Sequence, residues 1–153
     1  PCSRVTPALL IATSVPVDIA SPTSAAASAV SISYAAVELA RKIFTDLSKH
    51  EALLIEGDLV DCRHWNILLY SRFLNSLDHR NRIVSRTAAS STIIDGRYRF
   101  ALAGRDPGLP GYDWLDTEGR PFGLVVMRWL QPQGEVPLPR VHRCPIGDLE
   151  RWP

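Results

Sequence analysis

The segment Thr92–Ala103 constrains the fold most, because its sequence is typical of a β-hairpin. Thr92–Ile94 leads into Asp95-Gly96, a dipeptide that favours the tight two-residue turn of a hairpin. From Arg97 to Ala103 polar and apolar residues alternate, and a period of two is typical of a strand with one buried face. The pattern predicts two antiparallel strands, and the second strand buries Tyr98, Phe100 and Leu102.

Further short apolar segments are separated by turn residues. Ala52–Glu56 and Trp65–Leu74 are rich in branched and aromatic residues, and they predict two strands joined as a hairpin. Phe122–Leu130 predicts another strand, and Arg140–Arg143 predicts an edge strand. Short antiparallel strands of this kind indicate a sheet that closes over one core.

One segment has helical periodicity instead. Between Tyr34 and Lys49 the apolar residues recur at intervals of three and four, while most charged residues fall between them. This spacing predicts one amphipathic helix over residues 34–49 that covers a sheet. The predicted fold class is therefore mainly β with one N-terminal helix, in the form of an antiparallel β-sandwich or jelly roll.

The chain of 153 residues has the length of one domain, but its composition changes near residue 34. Residues 1–33 are nearly uncharged and of low complexity, which predicts an N-terminal arm. Residues 34–153 are expected to form a single β-sandwich domain. The chain begins without a methionine, so it is interpreted as a fragment or a processed product. Its net charge of +1 gives no indication of a nucleic-acid or membrane partner.

The three cysteines, Cys2, Cys62 and Cys144, are widely spaced and form no C-x-x-C motif. Their number and spacing indicate neither a zinc site nor a disulfide framework. A reducing, cytoplasmic location is the expectation that follows. No metal and no cofactor are expected.

The loop Asp106–Pro121 concentrates turn residues, carboxylates and two aromatic side chains, and elaborate loops often carry function. Asp113, Asp116 and Glu118 surround Trp114, so two carboxylates could act as an acid and a base. The structural alternative, which we favour, is that Asp116 accepts backbone amides and Trp114 fills the core. An enzyme would need one of these carboxylates within hydrogen-bonding reach of His79.

Arginines dominate the preceding part of the chain, residues 61–105. One interpretation, which we favour, is that an arginine such as Arg80, Arg82 or Arg105 pairs with the acidic loop and holds it in place. The other is that Arg72, Arg80 and Arg82, with His79, form a pocket for a carboxylate or phosphate, because guanidinium groups bind such anions through paired hydrogen bonds.

Three segments resemble a group of uncharacterised bacterial proteins over about residues 51–149. They are EGDLVDCRHWNILLYSRFLNSLDHRNR, DGRYRFALAGRDPGLPGYDWLDTEGRPFGLVVMRW and PRVHRCPIGDL. The group has an "SLDYRN" segment, a "DPG...NWLDT.G" loop and an "RW" strand, and it is similar to the domain of unknown function numbered twelve-fourteen. The chain departs from this pattern at His79, where an aromatic is usual, and at Gly111-Tyr112-Asp113, where a single asparagine often precedes the tryptophan.

The resemblance implies a jelly-roll-like fold but no settled activity, so three hypotheses stay open. The first is an accessory β-sandwich that binds a small polar or anionic ligand through Arg72, Arg80, Arg82, Trp114 and Glu118. The second is an enzyme for a small organic substrate that uses Asp113, Asp116 and His79. The third is a structural subunit of an assembly. Each allows a homo-oligomer or a larger parent chain.

Overall fold

A computed structural model describes residues 2–4, 37–44 and 47–151 of the protein. Over these residues the chain consists mainly of antiparallel strands in two sheets, and its helices are two short 3-10 helices, Ala88–Ser90 and Ile146–Arg151. The strands are β1 (Ser3–Arg4), β2 (Val37–Phe44), β3 (Glu51–Asp58), β4 (Cys62–Tyr70), β5 (Ser85–Thr87), β6 (Ile93–Ile94), β7 (Arg97–Ala103), β8 (Asp113–Asp116), β9 (Gly123–Pro132) and β10 (Arg140–Pro145).

The first sheet has the order β1-β10-β3-β7, and the outer edge of β7 is shared by two short strands. β6 pairs with the start of β7 in antiparallel orientation, whereas β8 pairs with its second half in parallel. The predicted hairpin at Asp95-Gly96 is confirmed, because Ile94 pairs with Arg97 across the turn. Asp95 and Gly96 have φ angles of 51° and 70°, which is the left-handed geometry that the tightest hairpin turn requires.

The second sheet has the order β2-β9-β4-β5. The prediction of a helix over residues 34–49 is wrong for residues 37–44, which form β2, while residues 34–36 and 45–46 lie outside the described residues. β2 pairs with β9 along its whole length, from Val37 opposite Leu130 to Phe44 opposite Gly123. The hydrogen bonds offered by the edge of β9 therefore override the local helical spacing of the sequence.

Two further predictions about the strands are also wrong. β3 and β4 lie in different sheets and do not form a hairpin, because the chain crosses from one sheet to the other between Asp58 and Cys62. β10 is not an edge strand, because it lies between β3 and β1. The predicted arm over residues 1–33 stays a prediction, since residues 5–33 lie outside the described part.

A second buried cluster, around Leu54, Ala101 and Cys144, lies on the other face of the first sheet. The main core is a cluster of apolar side chains that come from both sheets. At its centre Trp65 of β4 contacts Tyr98 and Phe100 of β7, with ring centroids 5.9 and 6.1 Å apart. Gly57 of β3 is the residue opposite Tyr98, and a Cβ atom at Gly57 would overlap the Tyr98 ring. The missing side chain therefore makes room for the aromatic contact between the sheets.

A disulfide joins Cys2 to Cys144, so the expectation of no disulfide is wrong. β1 pairs with β10 in the register Ser3 opposite Arg143, which places Cys2 beside Cys144 with their Cα atoms 4.4 Å apart. The sequence hides this pair because the two cysteines lie 142 positions apart. Cys62 remains a free thiol, and burial raises its pKa. In the described part of the chain, no helix is long and apolar enough to cross a membrane.

Stability should depend on pH through Glu51, at the start of β3. Its carboxylate accepts hydrogen bonds from Arg143 Nη2 at 2.7 Å and from the Ser48 amide at 3.0 Å. The Arg143 hydrogen bond is the main reason that the pKa of Glu51 falls from 4.5 to about 2. A carboxyl group whose pKa is lowered by folding stabilises the fold above its unfolded pKa, and the gain is lost as the pH falls through the folded pKa.

We therefore expect Glu51→Gln to be less stable than the wild type near neutral pH, by about 0.5–1 kcal/mol. The difference should shrink as the pH falls from 4.5 to about 2. Urea unfolding across this range measures it. Glu135→Gln is the control, because Glu135 is exposed and makes no hydrogen bond with a described residue. A constant deficit of Glu51→Gln at every pH would contradict the prediction.

Candidate functional site

The segment Leu77–Arg82 forms a tight turn in front of β5, and Asp78 organises it. One oxygen of its carboxylate accepts the backbone amides of Arg80 and Asn81 at 3.2 and 3.3 Å, and the other accepts Asn81 Nδ2 at 2.9 Å. The Asn81 side chain is the main reason that the pKa of Asp78 is lowered. Because aspartate side chains bond readily to amides two and three residues ahead, this turn is fixed by its own sequence.

The loop Asp106–Pro121 contains a strand that the sequence did not reveal, since β8 covers Asp113–Asp116 and lies parallel to β7. After β8 the chain reverses at Glu118 and Gly119, whose φ angles are 57° and 67°. The Thr117 amide donates to the Ala103 carbonyl, and the Thr117 carbonyl accepts the Arg120 amide. The turn thereby aims two carboxylates, from Asp116 and Glu118, at the segment Leu77–Arg82.

Asp116 is almost fully buried and every contact of its carboxylate is internal to the fold. One oxygen accepts Arg82 Nη1 at 2.7 Å, and the other accepts the Glu118 amide at 2.7 Å. Its backbone amide donates to the Ile83 carbonyl at 2.7 Å. For Asp116 the contacts support the structural alternative from the sequence, because its carboxylate accepts a backbone amide, and Arg82 holds the acidic loop.

Glu118 completes the link between the two segments. Its carboxylate accepts the Asp78 amide at 2.8 Å and Arg120 Nε at 2.7 Å. Partial burial tends to raise the pKa of Glu118, but these two hydrogen bonds outweigh it, so the pKa is lowered. We call the group Asp78, Arg82, Asp116, Glu118 and Arg120 the acidic joint. It ties the turn before β5 in the second sheet to the turn after β8 in the first.

Asp113 and Trp114 lie outside the acidic joint. The Asp113 carboxylate accepts both the amide and the hydroxyl of Thr92, at 2.6 and 3.1 Å, and so holds the start of the hairpin at β6. Trp114 is half buried, and its Nε1 donates to the Ala103 carbonyl at 3.1 Å. Both side chains have structural partners within the fold, and these partners differ.

His79, Arg80 and Arg72 are exposed. The guanidinium group of Arg72 lies 5.5 Å from the centre of the Phe73 ring, and the side chains of His79 and Arg80 make no hydrogen bond or ion pair with any residue that the structure describes. In particular, no hydrogen bond joins His79 to Asp113 or Asp116 among these residues. The acid–base assignment of Asp113, Asp116 and His79 stays a prediction that no observed contact supports.

No group of three or more histidine, cysteine, aspartate or glutamate side chains that could hold a metal ion occurs within the described residues.

Two features escaped the sequence interpretation. Arg128 of β9 donates from Nη2 to the Tyr70 hydroxyl of β4 at 2.6 Å. Phe73 and Leu74 form an exposed apolar tip, with 80% and 65% of their surfaces accessible. A charged residue inside the apolar segment GLVVMRWL is the signal that could have revealed Arg128, whereas Phe73 and Leu74 were assigned to a strand.

Comparison with known proteins finds no matching family model. Among solved structures, the fold is similar to an uncharacterised protein from Burkholderia cenocepacia, with a TM-score of 0.66 and 28% identity over 72% of this chain and 30% of that chain. A second structure, the VPA0106 protein from Vibrio parahaemolyticus, has a TM-score of 0.48 and 16% identity over 69% of this chain and 30% of its own.

Among curated proteins, the chain is 49% identical to the glutamyl-tRNA reductase of Desulfovibrio desulfuricans over 47 residues, which are 30% of this chain and 11% of that protein. The chain thus spans less than a third of the length of each of these three proteins. The resemblance to the domain of unknown function stays a prediction.

Removal of the Asp116 carboxylate should destabilise the fold strongly. Asp116→Ala leaves the Glu118 amide without its acceptor and Arg82 without its counter-ion, so we expect the free energy of unfolding to fall by about 2–4 kcal/mol. Urea unfolding measures the loss. Asp58→Ala is the matched control, because Asp58 pairs with Arg97 at 2.8 Å on the surface and should cost about 0–1 kcal/mol. Equal losses in the two variants would show that the acidic joint is not a structural centre.

Proposed function

We propose that the protein is a non-catalytic β-sandwich module that binds a small anionic ligand at the surface formed by Arg72, His79 and Arg80. The observation that carries this proposal is the unequal pairing of charge. The carboxylates of Asp113, Asp116 and Glu118 are all occupied by internal donors, whereas the cationic groups of Arg72 and Arg80 have no acidic partner among the described residues.

We also propose that the two sheets form a β-sandwich. The contact of Trp65 in β4 with Tyr98 and Phe100 in β7 supports two sheets packed face to face, as in a β-sandwich. A jelly-roll topology is the more specific form that we propose. The similarity to the Burkholderia cenocepacia structure indicates that the same arrangement of strands occurs in another protein.

Arg72 and Arg80 belong to two neighbouring turns. The loop Ser71–Ser76 closes through the bridge between Tyr70 and Ser76, and the next segment is fixed by a hydrogen bond from the Leu77 amide to the Leu69 carbonyl. Arg82 is excluded from the proposed site because Asp116 occupies it. Exposed guanidinium groups on rigid turns can bind carboxylate or phosphate oxygens at a modest entropic cost.

A thermal-shift assay with inorganic phosphate tests this function. A ligand that binds only the folded state raises the melting temperature, by an amount that grows with its concentration over Kd. The reference is sodium chloride of equal ionic strength. At about 20 mM phosphate we expect the melting temperature of the wild type to rise by about 1–3 °C above this reference. The double variant Arg72→Gln/Arg80→Gln should lose this rise.

Arg97→Gln is the control for removal of a surface charge, because Arg97 lies in the first sheet and pairs with Asp58. The proposal fails if the wild type shows no rise beyond that of chloride, or if Arg97→Gln loses the rise as completely as the double variant.

The enzyme alternative has weaker support. It needs a free carboxylate beside His79, but Thr92 occupies Asp113, and Arg82 with the Glu118 amide occupies Asp116. We propose neither a nucleic acid nor a membrane as a partner.

A second candidate, an accessory module of a larger protein, is favoured by the exposed tip. The tip is a rigid turn: the Ser71 amide donates to the Asn75 carbonyl at 2.8 Å, and the Phe73 amide donates to Ser71 Oγ at 3.1 Å. A rigid turn with an exposed phenylalanine and leucine suits contact with a companion domain. The chain covers only 30% of the Burkholderia cenocepacia structure, which leaves room for such a domain in a longer polypeptide.

The companion domain can be tested with Phe73→Ser in two contexts. In the present chain the change should leave the melting temperature unaltered, because the Phe73 side chain is exposed. In the longest polypeptide that the gene encodes, it should lower the melting temperature by about 2–4 °C for each kcal/mol of lost contact. Leu138→Ser, which changes another exposed residue, is the control. An unchanged melting temperature of Phe73→Ser in the longer polypeptide would contradict the proposal.

The predicted cytoplasmic location stays a prediction, and the disulfide between Cys2 and Cys144 weighs against it. Disulfides persist mainly in oxidising compartments, so an extracytoplasmic location fits the described residues better.

A further inference from the structure

The outer face of the second sheet carries a polar pair that belongs to none of the groups described so far. Along β4 the side chains of Trp65, Ile67 and Leu69 enter the core, so those of Asn66, Leu68 and Tyr70 face outward. Along β9 the same alternation places Arg128 outward between the buried Met127 and Trp129. Asn66 and Arg128 are directly opposite each other in the sheet.

Arg128 is half buried but has no carboxylate partner among the described residues. Its Nη2 donates to the Tyr70 hydroxyl at 2.6 Å, and its guanidinium carbon lies 5.8 Å from the centre of the Tyr70 ring. A cation that is partly removed from water is stabilised best by an anion. Arg82 has such a partner in Asp116, and the similarly half-buried Arg143 has one in Glu51.

The hydroxyl of Tyr70 accepts a hydrogen bond from Arg128, so its own O–H can still donate, and it donates to no described residue. Arg128 has further N–H groups that can donate as well. A single anionic group beside the pair could therefore accept hydrogen bonds from both side chains. This combination of a guanidinium and a phenol is suited to a carboxylate, whose two oxygens match parallel donors.

Asn66 supplies a second and independent indication. Its Oδ1 is buried and has no hydrogen-bond partner among the described residues, although buried polar atoms are nearly always bonded. Because Asn66 lies opposite Arg128, a molecule bound at the guanidinium could reach this oxygen with a hydroxyl or amino group. The unpaired cation and the unpaired acceptor occur on one face of one pair of strands.

We infer that Tyr70, Arg128 and Asn66 form a binding site for a small carboxylate that also carries a hydrogen-bond donor, such as a hydroxy acid. Arg128 and Tyr70 donate to the carboxylate, and Asn66 Oδ1 accepts from the hydroxyl. The site shares no residue with the surface of Arg72, His79 and Arg80, so it does not rest on the function proposed there.

Calorimetric titration with β-hydroxybutyrate tests the site, and butyrate is the matched probe that lacks the hydroxyl. We expect the wild type to bind β-hydroxybutyrate about 5–10-fold more tightly than butyrate, because only the hydroxy acid satisfies Asn66. Tyr70→Phe should weaken binding of both probes about tenfold, since it removes one donor to the carboxylate. Arg128→Lys keeps the charge but loses the paired donors, and it should weaken both probes at least as much.

Asn66→Ala separates the two halves of the site, because it should abolish the preference for the hydroxy acid while butyrate binds as before. Arg97→Gln, which removes a surface charge in the first sheet, is the control, and it should bind both probes like the wild type. Circular dichroism melting of each variant establishes that it is folded. Absence of saturable binding of both probes to the wild type overturns the inference, as does binding that is unchanged in folded Tyr70→Phe and Arg128→Lys. Binding that disappears in Arg80→Gln places the anion at the other surface and equally overturns it.

Discussion

The buried carboxylate of Asp116 is the interaction on which this arrangement of strands most depends. It lies at the end of β8, in the first sheet, and its partner Arg82 lies in the turn before β5, in the second. A buried charge is tolerated only where its partners are in place, so the pair fixes both turns at once. The amide of Asp116 donates to Ile83 beside it, and Glu118 binds the Asp78 amide one turn further on. The two sheets are thus held at this end by directional bonds.

The shared core supplies the non-directional part of the same constraint. Trp65, Tyr98 and Phe100 bring β4 and β7 together, and Gly57 leaves the room that the Tyr98 ring needs. Such aromatic contacts contribute about 0.5–1.5 kcal/mol per pair beyond burial, but they tolerate small shifts. The acidic joint does not tolerate shifts, because its hydrogen bonds are short and directional. The core therefore favours association of the sheets, and the joint selects one relative position.

Local patterns in the sequence predicted those parts of the fold that local chemistry decides. Asp95-Gly96 can form only a few turns, and the alternation of Arg97–Ala103 leaves one choice of buried face, so this hairpin was predictable. The strand at Val37–Phe44 was not, because its spacing fits a helix equally well and the edge of β9 decides between them. The Cys2–Cys144 bond likewise depends on the pairing of β1 with β10, which no local pattern records. The acidic joint was half predictable: opposite charges in two segments indicated pairing, but only the fold selects Arg82 over Arg80.

The acidic loop attracted attention in the sequence because the partners of its carboxylates were not visible there. A loop rich in carboxylates resembles an active site when its donors are unknown, yet Thr92, Arg82, Arg120 and the backbone amides satisfy it. Arginines without a carboxylate partner among the described residues indicate a ligand site better, because their charge is not neutralised within that part of the fold. Arg80 has water available and needs no partner, so its exposure permits a ligand without requiring one. Arg128 is half buried opposite an unpaired amide oxygen, and this cost of desolvation gives the outer face of the second sheet the stronger physical reason to bind a ligand.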